Sequence, residues 1–347
     1  MIDTFNAITE KEGWNNFISQ LDSYDCYHTY DYHQIDKGDS EEAVLLTYDK
    51  EDVKIALPII VRQIEGTLFK DATSVYGYSG PLSNKLPEDF DNSHFLDLLH
   101  KWFNDQGIIS VFARLNPYIP QQENILKGMG ELRELGKVVN IDLTCDIDLQ
   151  RSQFSKTTKR YLNKVRKSCY AEISDNEEDL GSFIDLYYEN MKRVNAADAY
   201  FFNPEYFKNF LSSTDFDTDL IVARLRGTDE IVSAALMVKT NKIIQYHLSG
   251  TKNDYLDLTP IRLLIDQTRI KGTEDGFVFF NLGGGLGSKE DSLFYFKSSF
   301  SKDFKDFKTW NCILNKEAYK SLCAENSDLD TSEKDPNFFP LYRFTAS

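Results

Sequence analysis

The sequence predicts an α+β protein built from two copies of one unit. Two observations carry this. The order hairpin, loop, helix, glycine, strand across residues 41–115 returns as meander, loop, helix, glycine, strand across 219–282. The glycines that close the two helices, Gly107 and Gly276, stand 169 residues apart, and the hairpins are offset by a similar length. A chain of 347 residues with 41% hydrophobic and 14% aromatic content can give each copy its own core. The repetition is one of architecture, since the halves share little residue by residue. The expected boundaries are a first unit over 1–145, a second over 146–323 and a polar tail over 324–347.

The elements follow in order. Trp14, Phe17 and Leu21 share one face of a short helix over 10–21. "EEAVLLTYDKEDVKIALPIIV" (41–61) places two apolar runs around Asp49-Lys50-Glu51-Asp52 and reads as a hairpin. "YGYSGPL" (76–82) is a loop, because Gly77, Gly80 and Pro81 break any regular element. Phe95, Leu98, Leu99 and Trp102 give helical period over 91–105, and a strand over 108–115 follows Gly107. "GKVVNIDL" (136–143) is a further strand.

In the second half a long helix over 152–168 precedes a strand over 170–174 and helices near 178–194 and 204–213. Asn203 and Pro204 open the last of these as N-cap and first helical residue. The meander turns at Gly227–Glu230 and at Thr240-Asn241. Thr259-Pro260 opens a helix running to Lys271, and "FVFFNL" (277–282) is a strand. In the tail, residues 324–337 are polar, and Phe338, Phe339, Leu341 and Tyr342 are the residues able to anchor its end.

Charge and cysteine usage narrow the function. The formal charge of −16 opposes general coating of nucleic acid, so no DNA partner is expected, although a local basic groove is compatible with it. Cys26, Cys145, Cys169, Cys312 and Cys323 are scattered and form no CxxC pair, which reads as reduced thiols. The first residues lack the basic and apolar regions of a secretion signal, and no apolar run approaches membrane-spanning length. A cytoplasmic protein is expected, at most touching a membrane face. His28 and His33 lie five apart without a supporting HExxH or Cys pair, so no metal site is expected. His247, in an apolar strand, reads as a core histidine, with catalysis as the lesser option.

Two stretches carry candidate chemistry. "NLGGGLGSKEDSLFYFKSSF" (281–300) has Gly283, Gly284, Gly285 and Gly287, but their spacing fits neither the dinucleotide fingerprint nor the GxxxxGK[ST] phosphate loop. Either these glycines supply positive φ in a strand-to-helix turn, or their missing side chains let a ligand approach. "RSQFSKTTKRYLNKVRKSCY" (151–170) holds seven cations and no acidic residue. It is either a solvated face or a site for phosphate, pyrophosphate or an RNA backbone. In "NMKRVNAADAYFFNPEYF" (190–207), Arg193 is interleaved with Tyr200 and other aromatics whose spacing suits a core.

"TTKRYLNKVRKS", "YYENMKRVNAADAYFFNPEYF", "YHLSGTKNDYLDLTPIRLLIDQTRIKGTEDGFVFFNLGGG" and "LFYFKSSF", together with "YGYSGPL", resemble successive motifs of the Fem-type transferases of the GNAT-like acyltransferase superfamily. The resemblance spans roughly 40–310. It implies two tandem GNAT-like units, each a mixed, mostly antiparallel sheet flanked by helices. It implies transfer of an aminoacyl or acyl group to an amine of a cell-envelope precursor of peptidoglycan type, by direct attack. The donor would be aminoacyl-tRNA or acyl-CoA, with no tightly bound cofactor. The acceptor would be nucleotide- or lipid-linked, with transient contact at the inner membrane face.

By the same resemblance, Lys297 in the Phe296-Lys297 pair stands at the transfer centre. Arg160, Lys164 and Lys167 meet an anionic donor or acceptor, Arg193 clamps phosphate or carboxylate beside Tyr200, and Gly283, Gly284 and Gly285 make room for acceptor or acyl chain. The long charged helical hairpin of bridge-building members is missing. The turn Ser249–Pro260 also lacks the glycine-rich motif that binds CoA pyrophosphate, which weighs against a CoA donor. The alternatives are an acyl-CoA-dependent N-acyltransferase acting on an amino sugar, and a binding module without chemistry.

Overall fold

The computed structural model describes residues 4–87, 89–326 and 337–345. In chain order, the first stretch holds β1 (Phe5–Ile8), α1 (Lys11–Ile18), α2 (Tyr30–Asp36), β2 (Glu42–Lys50), β3 (Val53–Gln63), β4 (Lys70–Thr73), β5 (Leu82–Ser83), α3 (Ser93–Asp105), β6 (Ile108–Arg114), α4 (Gln122–Leu126) and β7 (Glu131–Asp142). Next come α5 (Ile147–Ser152), α6 (Lys156–Ser168), β8 (Cys169–Ser174), α7 (Glu177–Arg193), α8 (Pro204–Ser212), β9 (Asp217–Leu225), β10 (Ile231–Thr240), β11 (Ile243–Thr251) and α9 (Ile261–Glu274). β12 (Phe279–Gly283), α10 (Ser292–Lys297), β13 (Asp303–Ile313) and α11 (Lys316–Glu325) complete the order.

The chain forms two compact units, Met1–Gly136 with Asp306–Ser347, and Lys137–Lys305. This moves the boundaries expected from sequence. The strand assigned to the end of the first unit belongs to the second, where Ile141 faces Phe280 and Asn140 faces Asn281. Residues after 305 return to the first unit, because Trp310 and Cys312 pair with Ala113 and Val111 of β6 and join its core. The lengths of the two apolar strands could not reveal which partner each would take.

The duplication is visible in each unit. In the first, the β2–β3 hairpin turns through Glu51 at φ 57, and β4 follows antiparallel to β3. The chain crosses through α3 and returns as β6, parallel to β4. In the second, β9, β10 and β11 form the meander, and α9 leads to β12, parallel to β11. Of the α3 face read from sequence, Phe95 and Leu99 enter the first core with Phe103, and Leu98 and Trp102 pack partly buried against it. Leu263, Leu264 and Ile265 of α9 enter the second core. On the other face of the second sheet, α7 lies so close that a Cβ on Gly250 would collide with the backbone of Leu186.

The helix expected over 152–168 begins at Lys156 as α6, and the short α5 ends before it at Ser152. Ser155 caps α6, accepting from Thr158 N at 3.1 Å. The pair is held by a carboxylate far away in sequence. Asp266 of α9 is 1% exposed, bonds Arg269 through Oδ1 at 2.8 Å and takes Arg166 of α6 on Oδ2. Arg151 of α5 lies 3.9 Å from the same oxygen. In the tail, Tyr342 reaches buried Asp71 at 2.9 Å, and Phe339 packs on Tyr319 and Phe112. Most of the polar stretch before it lies outside the described residues.

His28 and His33 sit in the first unit with 0% exposure, and among the described residues the Nε2 of His33 is buried without a hydrogen-bond partner. Burial lowers their pKa values from 6.5 to about 3 and about 4.

Two predictions follow from these buried groups. Asp266→Asn leaves three arginines facing a neutral amide, and should cost about 3–5 kcal/mol in urea unfolding at pH 7. The histidines set an acid limit. Below pH 6.5 the unfolded chain takes up their protons while the folded chain does not. Stability therefore falls as pH drops toward 4, by about 1.4 kcal/mol per pH unit for each. Unfolding of His28→Gln with His33→Gln should show a correspondingly flatter pH dependence.

Candidate active site

The second unit brings the glycine loop, α10 and the start of α6 together. β11 and β12 pair in parallel only over Ile243–Gln245 and Phe279–Asn281. Among the described residues, β11 has no β12 partner from Tyr246 onward, while its pairing with β10 continues to Thr251. Two parallel strands that part in this way open a crevice at their carboxyl ends. Asn281 spans the last paired step, donating to Gln245 Oε1 at 2.8 Å and accepting from Gly283 N at 2.8 Å.

The loop after β12 folds back on itself. Asp291 accepts from Leu286 N at 3.0 Å and caps α10 through Phe294 N at 2.9 Å. Gly283 and Gly287 take φ 78 and 58, the turn role the sequence allowed. At Gly284 and Gly285 the direction a side chain would take is occupied by the chain. A Cβ on Gly284 would lie 2.9 Å from the Lys137 carbonyl oxygen, and one on Gly285 would strike the Lys289 carbonyl and the Asp291 carboxylate. The chain itself fills the space those side chains lack.

This loop presents a carbonyl to the lysine. Lys297, 9% exposed, donates from Nζ to Gly284 O at 2.8 Å. Burial lowers its pKa from 10.5 to about 8, and the charge of Asp291 opposes that only in part. It is therefore largely an ammonium ion at neutral pH, held in a poorly solvated place by one carbonyl oxygen. Phe296 beside it carries the guanidinium of Arg262 over its ring at 4.7 Å.

The basic helix is less uncompensated than its sequence suggests. Arg166 and Arg151 are drawn to Asp266, and Lys159 donates to Ser152 O at 2.9 Å. Asp266 lies 100 residues beyond Arg166, so no local reading could find it. Lys156, Arg160, Lys164 and Lys167 are exposed and have no ion-pair partner among the described residues. Arg160 lies over the Tyr161 ring at 5.4 Å, and Arg262 lies over the same ring at 5.6 Å, which ties Arg160 to the Phe296-Lys297 end. Lys167, two turns on, stands about 10 Å further along the helix.

Arg193 and Tyr200 are engaged by other partners. Arg193 donates to Thr251 O at 3.2 Å, to Asn253 Oδ1 at 2.6 Å and to Asn190 Oδ1, so it holds the turn after β11 and offers no open fork. The carbonyl of Tyr200 accepts from Tyr187 OH at 2.8 Å within the aromatic layer of α7 and α8. His247 joins that layer, 4.4 Å from the Phe210 ring, with its pKa lowered by burial to about 3. Sequence reasoning missed Arg262, Asp291 and Tyr246, whose phenol meets Ser249 Oγ at 2.6 Å and is pushed up to about 12 by burial. Only the strand-to-helix position of Arg262 could have hinted at it.

Charge is unevenly divided. Residues 137–305 hold 23 Lys and Arg against 25 Asp and Glu, a net −2, so −14 of the total of −16 belongs to the other unit. Among the described residues no three His, Cys, Asp or Glu form a metal cluster, and no helix is long and apolar enough to cross a membrane.

Residues 152–298 match the model of the acetyltransferase (GNAT) domain, which spans the basic helix, the parted strands and Lys297. The chain thus carries a GNAT-type domain and is an acyltransferase. Its fold is shared with FemX, at a TM-score of 0.71 and 12% identity over 91% of this chain and 99% of that one. It is also similar to a conserved protein of unknown function from Bacteroides thetaiotaomicron VPI-5482, with TM-score 0.57, 12% identity and coverage of 90% and 100%. The C-terminal domain of a candidate lysylphosphatidylglycerol synthetase from Agrobacterium fabrum gives a TM-score of 0.54, 16% identity and coverage of 90% and 94%. No curated protein sequence matches the chain.

A buried ammonium ion costs stability, which gives a test of its setting. Lys297→Met should raise stability at pH 7 by about 1–3 kcal/mol, the disfavoured charge less one lost hydrogen bond. The unfolded lysine keeps its proton to about pH 10.5 while the folded one loses it near 8. The wild-type protein therefore gains stability across that window and the variant does not. Paired urea titrations at pH 7 and 10 should show the gap closing.

Proposed function

We propose that the chain transfers an aminoacyl or acyl group to an amine of a cell-envelope precursor, by direct attack without a covalent enzyme intermediate. The observation that carries this is the buried ammonium of Lys297, held by the Gly284 carbonyl at the end of the strand beside the crevice. The amine attacks the donor's carbonyl carbon and the C–N bond forms. The carbonyl oxygen becomes an oxyanion, which the ammonium stabilises in exchange for its bond to Gly284. The ester or thioester bond then breaks, and the proton lost by the amine ends on the leaving oxygen or sulfur. A desolvated cation is worth most at such a step, because little water screens it.

The donor reading favours aminoacyl-tRNA. A CoA-type pyrophosphate needs free backbone N–H groups before α9. Here the N–H groups of Tyr255, Thr259, Arg262 and Leu263 are bonded within the turn itself, and Pro260 has none. The exposed Arg160, Lys164 and Lys167 and the near-neutral second unit suit a polyanionic donor. The motif resemblance to the Fem-type transferases supports a nucleotide- or lipid-linked amine acceptor, and the fold shared with the C-terminal domain of the candidate lysylphosphatidylglycerol synthetase is compatible with one at a membrane face.

Turnover with charged tRNA and with acyl-CoA, each against nucleotide-linked amine acceptors, tests the reading. Lys297→Met should lose about 100-fold or more in rate while remaining folded. Full turnover in that variant would remove the lysine from the mechanism, and saturable transfer from acyl-CoA alone would reassign the donor. Changing Arg160, Lys164 and Lys167 together to Gln should weaken donor binding and flatten its salt dependence.

A further inference from the structure

We infer that Arg262 is a positioning residue for Lys297, fixing through Phe296 and Ser299 the short helix that carries the lysine. The inference rests on the proposed role of Lys297 in transfer. α10 has six residues, too few to hold its own shape, so tertiary contacts must fix it. Asp291 holds its start. At its other end, Arg262 touches Phe296, just before the lysine, and Ser299 and Phe300, two and three residues after it. Its guanidinium lies 4.7 Å over Phe296 and 5.6 Å over Phe300, and Nη1 donates to Ser299 Oγ at 3.1 Å.

The same nitrogen donates to Thr158 Oγ1 of α6 at 2.8 Å, and the Thr158 and Ser299 hydroxyls meet at 2.8 Å. Ser155 N donates to Ser299 O at 2.8 Å, so α6 and the end of α10 form one hydrogen-bonded joint around the arginine.

Packing alone does not call for a cation here. Among the described residues no carboxylate forms an ion pair with Arg262, its Nε is buried without a partner, and burial lowers its pKa. An apolar side chain of similar length would fill the space between three rings without desolvating a charge. What it could not do is bond two hydroxyls from different helices in one plane. The arginine is thus a geometric clamp with a cost in stability, placed one residue from the lysine's own position.

The test reads the lysine directly and needs no substrate. The protein is labelled with 13C-lysine, and the Lys297 ε-carbon signal, assigned by its loss in Lys297→Met, is titrated. The wild-type midpoint is expected at about 8. In Arg262→Met the loosened helix lets water reach the amine. The midpoint should rise by roughly one unit or more, with the thermal melt unchanged or higher. Arg262→Lys, which keeps charge and ring contact, should restore part of the shift.

A folded Arg262→Met protein with an unmoved midpoint overturns the inference. If that variant does not fold, Thr158→Val with Ser299→Ala removes both hydroxyl partners and is read in the same way. Where turnover is measurable, Arg262→Met should lower kcat and leave KM in place. Full activity in Lys297→Met would defeat the transfer reading, while the titration would still decide whether Arg262 positions the amine.

Discussion

The catalytic half depends on a single carboxylate. Asp266 sits inside the second unit and draws arginines from α5, α6 and its own helix. Side-chain hydrogen bonds join the same helices, from Gln150 to Thr273 at 2.9 Å and from Arg262 to Thr158 at 2.8 Å. The ion cluster fixes how far along its axis α6 lies, and therefore where Thr158 and Tyr161 stand against the helix bearing Lys297. It also sorts the cations of the basic segment. Two are drawn to Asp266, Lys159 bonds the Ser152 carbonyl, and the other four are exposed.

The fold was legible because its grammar is short range. Apolar period and glycine punctuation placed the hairpin, the meander, α3 and α9, and Asn203 with Pro204 located the start of α8 within a residue. Pairing over distance was not legible. "GKVVNIDL" looks the same whichever sheet it joins, and nothing in Trp310 or Cys312 says that β6 is their neighbour. The candidate site divides in the same way. The Phe296-Lys297 pair could be found by resemblance, but the pairing of Lys297 with Gly284 depends on a loop whose backbone closes through Asp291. Arg262, an ordinary residue in sequence, acquires meaning only from three rings and two hydroxyls that converge on it.

The two units have diverged in chemistry more than in shape. Each passes from antiparallel strands through one helix to a parallel strand. In the first, the parallel strand is followed by a loop clamped by Asn116 and Gln122, whose side chains bond Asp25, Tyr78, Ser79 and Pro81. In the second, it is followed by a glycine loop that faces a lysine. One copy retains most of the acid charge and two neutral buried histidines. The other is near electroneutral with a cationic helix outside, the division expected when only one copy must tolerate an anionic ligand.

The path of the chain carries a consequence for biosynthesis. The first unit is begun by residues up to Gly136 and finished by those from Asp306 onward. During translation, β6 must therefore wait with one edge exposed while 169 intervening residues are made and the second unit can close. An apolar strand left open at the ribosome invites pairing with the wrong chain. The nascent protein thus has a window of vulnerability in its first unit that the finished molecule does not show, and it closes only when the strand bearing Trp310 emerges.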